Sequence, residues 1–223
     1  MLAFLHTSER HISTFESLVR EIDPELSLHH EVREDLLEAA RDANAITPEV
    51  RASTAAAVQS LTQAGARVVV CTCSTLGGAA EAATVPDRVS VLRVDRPMAD
   101  RAVTSERRIL VAAALTSTLP PTVTLLRESA ARQQRAVELV EVLCEGAWPH
   151  FETGKLSAYV ARIAEVIERE ALSGDTVVLA QASMAPAAEA LSHLDVTVLS
   201  SPRLGVEAAV SRYWALVAQE SSI

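Results

Sequence analysis

Cys73 closes a β-branched run, Arg67-Val68-Val69-Val70-Cys71-Thr72-Cys73-Ser74-Thr75-Leu76-Gly77-Gly78, where a buried strand gives way to small hydroxyl residues and then to a helix. A thiol at such a junction can donate a proton or attack as a nucleophile, and a helix N-terminus lowers its pKa. The same junction aims backbone N–H groups at whatever lies above it, which suits an anion. A second stretch, Thr176-Val177-Val178-Leu179-Ala180-Gln181-Ala182-Ser183-Met184-Ala185-Pro186, repeats the pattern with Ala182 in place of the thiol. Two further polar turns, Thr7-Ser8 and Thr116-Ser117, each follow an apolar run. Together the four turns offer Thr7, Ser8, Ser74, Thr75, Thr116, Ser117, Ala182, Ser183 and Met184 around one candidate catalytic group, Cys73. Small hydroxyls, helix-start N–H groups and one thiol, with no acidic cluster, suit a small carboxylate held by hydrogen bonds rather than by an arginine clamp. Taken singly, each Ser or Thr reads as a helix cap; their recurrence in both halves of the chain points to a shared site.

Other reactive residues read as structural. Cys71 lies inside the strand and Cys144 near the end of another, so both are assigned to the core. His6 precedes the first polar turn and is placed to reach the cleft, though a satisfied core or rim histidine is the favoured reading; His29-His30, His150 and His193 read as peripheral. The Cys-x-Cys pair has no His or Cys companions at ligand spacing, so no metal is expected. Walker A, Gly-x-Gly-x-x-Gly and Gly-x-Ser-x-Gly patterns are absent, which leaves nucleotide and serine-hydrolase chemistry without a motif.

Composition narrows the partners. The net charge is −9, and the Lys and Arg residues are scattered, so neither nucleic acid nor a membrane surface is expected as a partner. Ile109 to Leu115 is too short to span a bilayer. Met1-Leu2-Ala3-Phe4-Leu5 lacks a basic leader and reads as a first strand rather than a signal peptide. Three cysteines, odd in number and mostly inside apolar runs, suit reduced thiols in a cytoplasm. Association into homo-oligomers is compatible with this composition.

The elements that must position the turns alternate. Strands are predicted at 2–6, 26–32, 67–72, 89–94, 109–115, 137–143, 176–180 and 196–199. Helices are predicted at 11–22, 33–42, 48–64, 76–83, 98–107, 120–135, 155–171 and 185–192, with a last one from Pro202 to about Gln219. Thr47-Pro48 opens the third helix as N-cap and first residue, and Gly65 stops it. Strands separated by helices imply parallel sheets covered on both faces. Thr7 and Thr116, Val68 and Val177, and Cys73 and Ala182 each share an offset of 109, which predicts an internal duplication. The expected architecture is α/β, with two pseudosymmetric Rossmann-like (doubly wound, parallel-sheet) lobes and the active site in the cleft between them. Residues 1–97 with 203–223 would form the first lobe with a crossing C-terminal helix, and 98–202 the second.

The chain resembles the aspartate/glutamate racemase superfamily, which includes hydantoin racemase, maleate cis–trans isomerase and arylmalonate decarboxylase. Val70-Cys71-Thr72-Cys73-Ser74-Thr75-Leu76-Gly77 looks like the family's first Cys-Asn/Ser-Thr turn, and Ala180-Gln181-Ala182-Ser183-Met184-Ala185 like its second cysteine turn. Ser201-Pro202-Arg203-Leu204-Gly205-Val206 is similar to its closing Pro and crossing helix. The resemblance implies an enzyme without cofactor or metal, acting on a small carboxylate or amino-acid-like substrate at the carbon beside its carboxylate. Here Ala182 stands at the second cysteine of the motif, and Thr7 or Ser8 at the family's N-terminal acidic helper. Two-base racemisation, which needs a proton-exchanging group on each face, therefore gives way to one-thiol chemistry through Cys73: proton transfer, decarboxylation or isomerisation. The competing reading is a non-catalytic carboxylate-binding or regulatory protein derived from a racemase.

Overall fold

Leu2-Ala3-Phe4-Leu5-His6 and Val68-Val69-Val70-Cys71 are buried along their whole length, the pattern of strands covered on both faces. They become the two central strands of a parallel sheet. In the structure, a computed structural model describing residues 1–105 and 108–220, the first elements are β1 (Leu2–His6), α1 (Ile12–Ile22), β2 (Leu28–Val32), α2 (Glu34–Asp42), α3 (Pro48–Gln63), β3 (Val68–Cys71), α4 (Ser74–Glu81) and β4 (Ser90–Arg93). The sheet order is β2-β1-β3-β4, with every pairing parallel. Local signals set the helix ends: the Thr47 hydroxyl accepts from Val50 N–H at 3.2 Å, Pro48 takes the first turn, and Gly65 adopts φ +97° just past the end.

The pattern then repeats. Next come α5 (Arg96–Ala102), β5 (Ile109–Ala113), α6 (Leu119–Arg132), β6 (Leu139–Leu143), α7 (Trp148–Glu152), α8 (Leu156–Glu170), β7 (Thr176–Leu179), α9 (Ala187–Ala190), β8 (Thr197–Ser200) and α10 (Ser201–Glu220). The second sheet runs β6-β5-β7-β8, again all parallel. The chain divides into two units, Met1–Val94 with the chain from Pro202, and Asp95–Ser201. Each has its own apolar core: one gathers Leu5, Leu37, Val58, Leu61, Val69 and Leu76, the other Leu110, Phe151, Tyr159, Ile163, Val177 and Met184. The predicted α/β fold with two lobes of parallel sheet is therefore the observed one. Residues 106 and 107, at the end of the predicted helix 98–107, lie outside the described residues. Among the described residues, no helix is long and apolar enough to cross a membrane.

Three details depart from the sequence reading. The five-residue α7 was not expected; Pro149 stands at its start, and it buries Phe151 against Tyr159 with ring centroids 5.3 Å apart. The helix expected at 185–192 reduces to a 3-10 turn, Ala182–Met184, and the single turn α9. The third concerns the duplication. Ala3, Leu5, Val69 and Cys71 face one core as Leu110, Ala112, Val177 and Leu179 face the other, so the offset is 107 on β1/β5 and 108 on β3/β7. Matched in this way, Thr7 and Ser8 correspond to Ala114 and Leu115, and Cys73 corresponds to Gln181. The 109-residue offset shared by like residues was one or two too long, because composition repeats tolerate a slip that strand pairing does not.

Gly205 shows how closely α10 packs in the first unit. A Cβ built there would lie 2.5 Å from the Val94 carbonyl oxygen and 3.1 Å from its carbon. In a free helix Gly→Ala gains about 1 kcal/mol, whereas overpacking against backbone costs about 1–3 kcal/mol. Gly205→Ala is therefore expected to lower the urea midpoint, and Gly205→Val to lower it further. A raised midpoint in Gly205→Ala would show that α10 yields at this crossing.

Candidate active site

In the first unit the ends of β1 and β3 lie side by side, since these strands are neighbours in register. Thr72 N–H donates to the Leu5 carbonyl at 3.0 Å, and its hydroxyl donates to the same oxygen at 3.3 Å. The residues just beyond, Thr7 after β1 and Cys73 after β3, are thereby brought together. Cys73 takes the N-cap position of α4 with extended backbone, φ −97° and ψ 114°. Burial pushes its thiol up from the ordinary value. The Thr7 hydroxyl, the Leu76 and Thr75 N–H groups and the Thr75 hydroxyl, all hydrogen-bonded to the sulfur, pull in the opposite direction without overcoming burial. The lowered pKa expected from the helix N-terminus is thus overturned: the two helix-start N–H groups are present, but Cys73 is only 8% exposed, and desolvation of the thiolate outweighs them.

α4 is backed by Arg93, the last residue of β4, which is itself buried and donates from Nη2 to the Ser74 carbonyl at 3.4 Å. Gly77 makes room for it, since a Cβ there would sit 2.9 Å from Arg93 Nε. Ser74 and Thr75 are both buried. Ser8 is half-buried, and its side chain caps the following 3-10 turn, accepting from Arg10 N–H at 3.4 Å.

A histidine pair buttresses this turn. His6, the last residue of β1 and fully buried, faces Thr72 Oγ1 through Nδ1 at 2.9 Å and His30 Nδ1 through Nε2 at 2.9 Å. Thr72 gives its one hydroxyl proton to Leu5, so His6 donates from Nδ1 and its Nε2 accepts from His30 Nδ1–H. The two rings stack with centroids 5.2 Å apart, and His11 meets His6 edge-on at 6.2 Å. Burial, together with charge on His11 and His30, takes the His6 pKa down to about 3. Burial alone takes His11 down to about 4, and His30 is lowered too, chiefly by burial. All three rings are therefore neutral near pH 7. His30, read as peripheral, is instead a partner of His6; nothing in its dipeptide marks it, because the contact comes from the parallel pairing of β1 with β2.

In the second unit the matched turn is built differently. Gln181 stands at the N-cap of the Ala182–Met184 turn, with φ −123° and ψ 140°, as Cys73 does at α4. Its Oε1 accepts from Ala114 N–H at 2.6 Å and Leu115 N–H at 3.2 Å, the two residues matched to Thr7 and Ser8. Ser183 is hydrogen-bonded to the Tyr159 hydroxyl at 2.8 Å, and burial raises the phenol well above its ordinary pKa. Met184, expected beside the substrate, is fully buried in the second core, and Ala182 is 8% exposed. Thr116 is exposed, and Ser117 is half-buried with its Oγ shielded and lacking a hydrogen-bond partner. Cys71 and Cys144 are core residues, as expected, and burial pushes Cys144 up to about 11. Sequence reasoning passed over Gln181, Thr72 and Tyr159. The one available signal was the amide itself, a polar side chain closing a fully apolar strand. Among the described residues, no group of three His, Cys, Asp or Glu side chains is placed to hold a metal ion.

The chain's fold, two four-stranded parallel sheets of the same order, is shared with solved racemase structures. The chain is similar to glutamate racemase isoform RacE1 from Bacillus anthracis, at 15% identity over 98% of this chain and 82% of that one, with a TM-score of 0.68. It is similar also to the aspartate racemase of Picrophilus torridus, at 12% identity, 95% and 93% coverage and a TM-score of 0.67. The allantoin racemase of Klebsiella pneumoniae aligns at 16% identity, 98% and 88% coverage and a TM-score of 0.59. At these identities the likeness is one of fold. No family model matches the chain, and no curated protein matches it in sequence.

Proposed function

We propose that the chain is a racemase-type enzyme acting, without a cofactor, at the carbon beside a carboxylate of a small amino-acid-like substrate, with Cys73 as its single proton-transfer thiol. The observation that carries this reading is the set of donors on the Cys73 sulfur: the Thr7 and Thr75 hydroxyls and the Thr75 and Leu76 N–H groups. Burial keeps the thiol protonated at rest, so it serves as an acid; the same donors then stabilise the thiolate left after proton delivery. Gln181, at the matched position, cannot exchange a proton, which argues against two-base racemisation and for reaction on one face. In decarboxylation, the bond to the departing carboxylate breaks and its electron pair remains as an enediolate. Cys73 S–H then gives its proton to the α carbon, and water restores the thiol. Nucleophilic addition of Cys73 to a double bond is less well supported, because it needs the thiolate that burial disfavours. Three free, buried cysteines suit a reducing compartment, and we place the protein in the cytoplasm.

The test is a panel of small mono- and dicarboxylates and amino acids in deuterated buffer. The expected result is release of carbon dioxide or isomerisation with one deuterium delivered to a single face. Slow alkylation of Cys73 that dicarboxylates suppress, with no turnover of any compound, would instead identify a non-catalytic carboxylate binder. Alkylation unaffected by carboxylates, with no turnover, would overturn the reading altogether.

A further inference from the structure

We propose that His6 is a positioning residue for Cys73: its ring, held by His30, clamps Thr72 and so fixes the two strand ends that carry Thr7 and the thiol. The register of β1 with β3 ends at Leu5 and Cys71, and the Thr72 N–H on the Leu5 carbonyl, at 3.0 Å, carries it one bond further. Beyond that bond the strand ends are joined by side chains. His6 Nδ1 donates to Thr72 Oγ1 at 2.9 Å. The next residue on each side supplies the Thr7 hydroxyl and the Cys73 sulfur, which are hydrogen-bonded to each other. All four residues of this double tie are buried, so water does not compete for it. The ring itself has little freedom. His30 Nδ1–H on His6 Nε2, at 2.9 Å, selects the tautomer that leaves a proton on Nδ1 for Thr72. The shielded, unpartnered Nε2 of His30 is then a bare acceptor rather than a stranded donor. Stacking on His30 and Phe4, with centroids 5.2 and 5.7 Å away, holds the plane of the ring.

The second unit shows what the clamp replaces. There Ala180 N–H donates to the Ala112 carbonyl at 2.9 Å, as Thr72 does to Leu5. Ala113 and Ala180 thus occupy the places of His6 and Thr72, and an alanine brings no polar side chain. Gln181 ties those strand ends itself, through Oε1 on the Ala114 and Leu115 N–H groups. A thiol is too short to span to two backbone amides across the gap. In the unit that carries Cys73 the tie therefore sits one residue earlier, in His6 and Thr72.

The catalytic weight of the clamp rests on the role proposed for Cys73 above, whereas its geometry does not, and two readouts keep them apart. The first is labelling of the full chain by iodoacetamide, with mass spectrometry locating the label. His6→Phe keeps the ring and its stacking but neither hydrogen bond. Thr72→Val keeps the shape without the hydroxyl, and Thr72→Ser keeps the hydroxyl. In His6→Phe and Thr72→Val the opened turn should let Cys73 react roughly fivefold faster or more, while Cys71 and Cys144 keep their wild-type rates. Thr72→Ser should stay within about twofold of wild type at Cys73. An unchanged Cys73 rate in both clamp variants overturns the inference. If all three thiols quicken together in His6→Phe, the milder Thr72→Val decides, and the same result there means that the pair serves folding alone and the inference falls. The second readout is turnover of the substrate that the carboxylate panel identifies. It should fall by about tenfold or more in kcat in His6→Phe and Thr72→Val and be largely kept in Thr72→Ser. Faster labelling of Cys73 with turnover at the wild-type rate would leave the clamp standing and overturn Cys73 as the proton donor. Lost turnover with unchanged labelling would overturn the clamp and leave the Cys73 reading in place.

Discussion

Cys73→Ala is expected to abolish turnover of whichever substrate the carboxylate panel identifies, by at least the roughly 10²–10⁴-fold that a positioned general acid contributes. Removing one buried sulfur should cost only about 1 kcal/mol, near the low end of large-to-small core changes. Loss of activity would then be read on a folded protein. Cys73→Ser sharpens the test: the hydroxyl keeps hydrogen-bonding capacity toward Thr7, Thr75 and Leu76 but is far too weak an acid to deliver its proton. It should be as inactive as the alanine variant, whereas Cys144→Ala, a change in the core of the other unit, should retain turnover. Activity in Cys73→Ser near the wild-type rate would remove the thiol from the mechanism.

A second large effect is expected in stability against pH. His6 and His11 have folded pKa values of about 3 and about 4, below the ordinary 6.5, because their imidazolium forms are desolvated. In the unfolded chain both take up protons below 6.5, while the folded chain does not. Their neutral state therefore contributes stability that is fully present above pH 6.5 and is lost as pH falls toward the folded values. Near pH 4.5 each histidine is expected to have removed about 2–3 kcal/mol, at about 1.4 kcal/mol per proton per pH unit. Together that approaches the whole stability of a marginal domain. Buried carboxylates with lowered pKa, such as Asp175, lose their contribution below about pH 4 and so act in a different window. Urea unfolding between pH 7.5 and 4.5 measures the slope. A midpoint that stays level across that range would mean the histidines are accessible to water. Breakage of the His6–Thr72 contact in the same window should also loosen the Thr7–Cys73 turn, so activity and stability should fall together.

The two effects differ in how far the sequence disclosed them. Cys73 was legible because its signal is local: a β-branched run, a thiol, two hydroxyl residues and glycines state a buried strand, its end and a helix start within a dozen residues. The histidine pair was not legible. His6 and His30 lie on separate strands, and neither neighbourhood records that β1 and β2 run in parallel with these ends adjacent. The fall in their pKa follows from burial summed over several elements.

The sequence by itself determined the class of fold and the place of the thiol. Uninterrupted apolar strands alternating with helices admit few arrangements other than parallel sheets. Thr47-Pro48 and Gly65 mark helix ends through backbone chemistry that needs no tertiary partner. Only the tertiary structure decided which residue of the second unit answers Cys73. Resemblance of residue types favoured Ala182, but Gln181 is the residue that, like Cys73, stands at the N-cap of the turn after its unit's third strand, a position the packed backbone sets. Only the tertiary structure, too, decided the direction of the Cys73 pKa. The helix-start N–H groups are local, whereas the desolvation that outweighs them depends on everything packed around the sulfur.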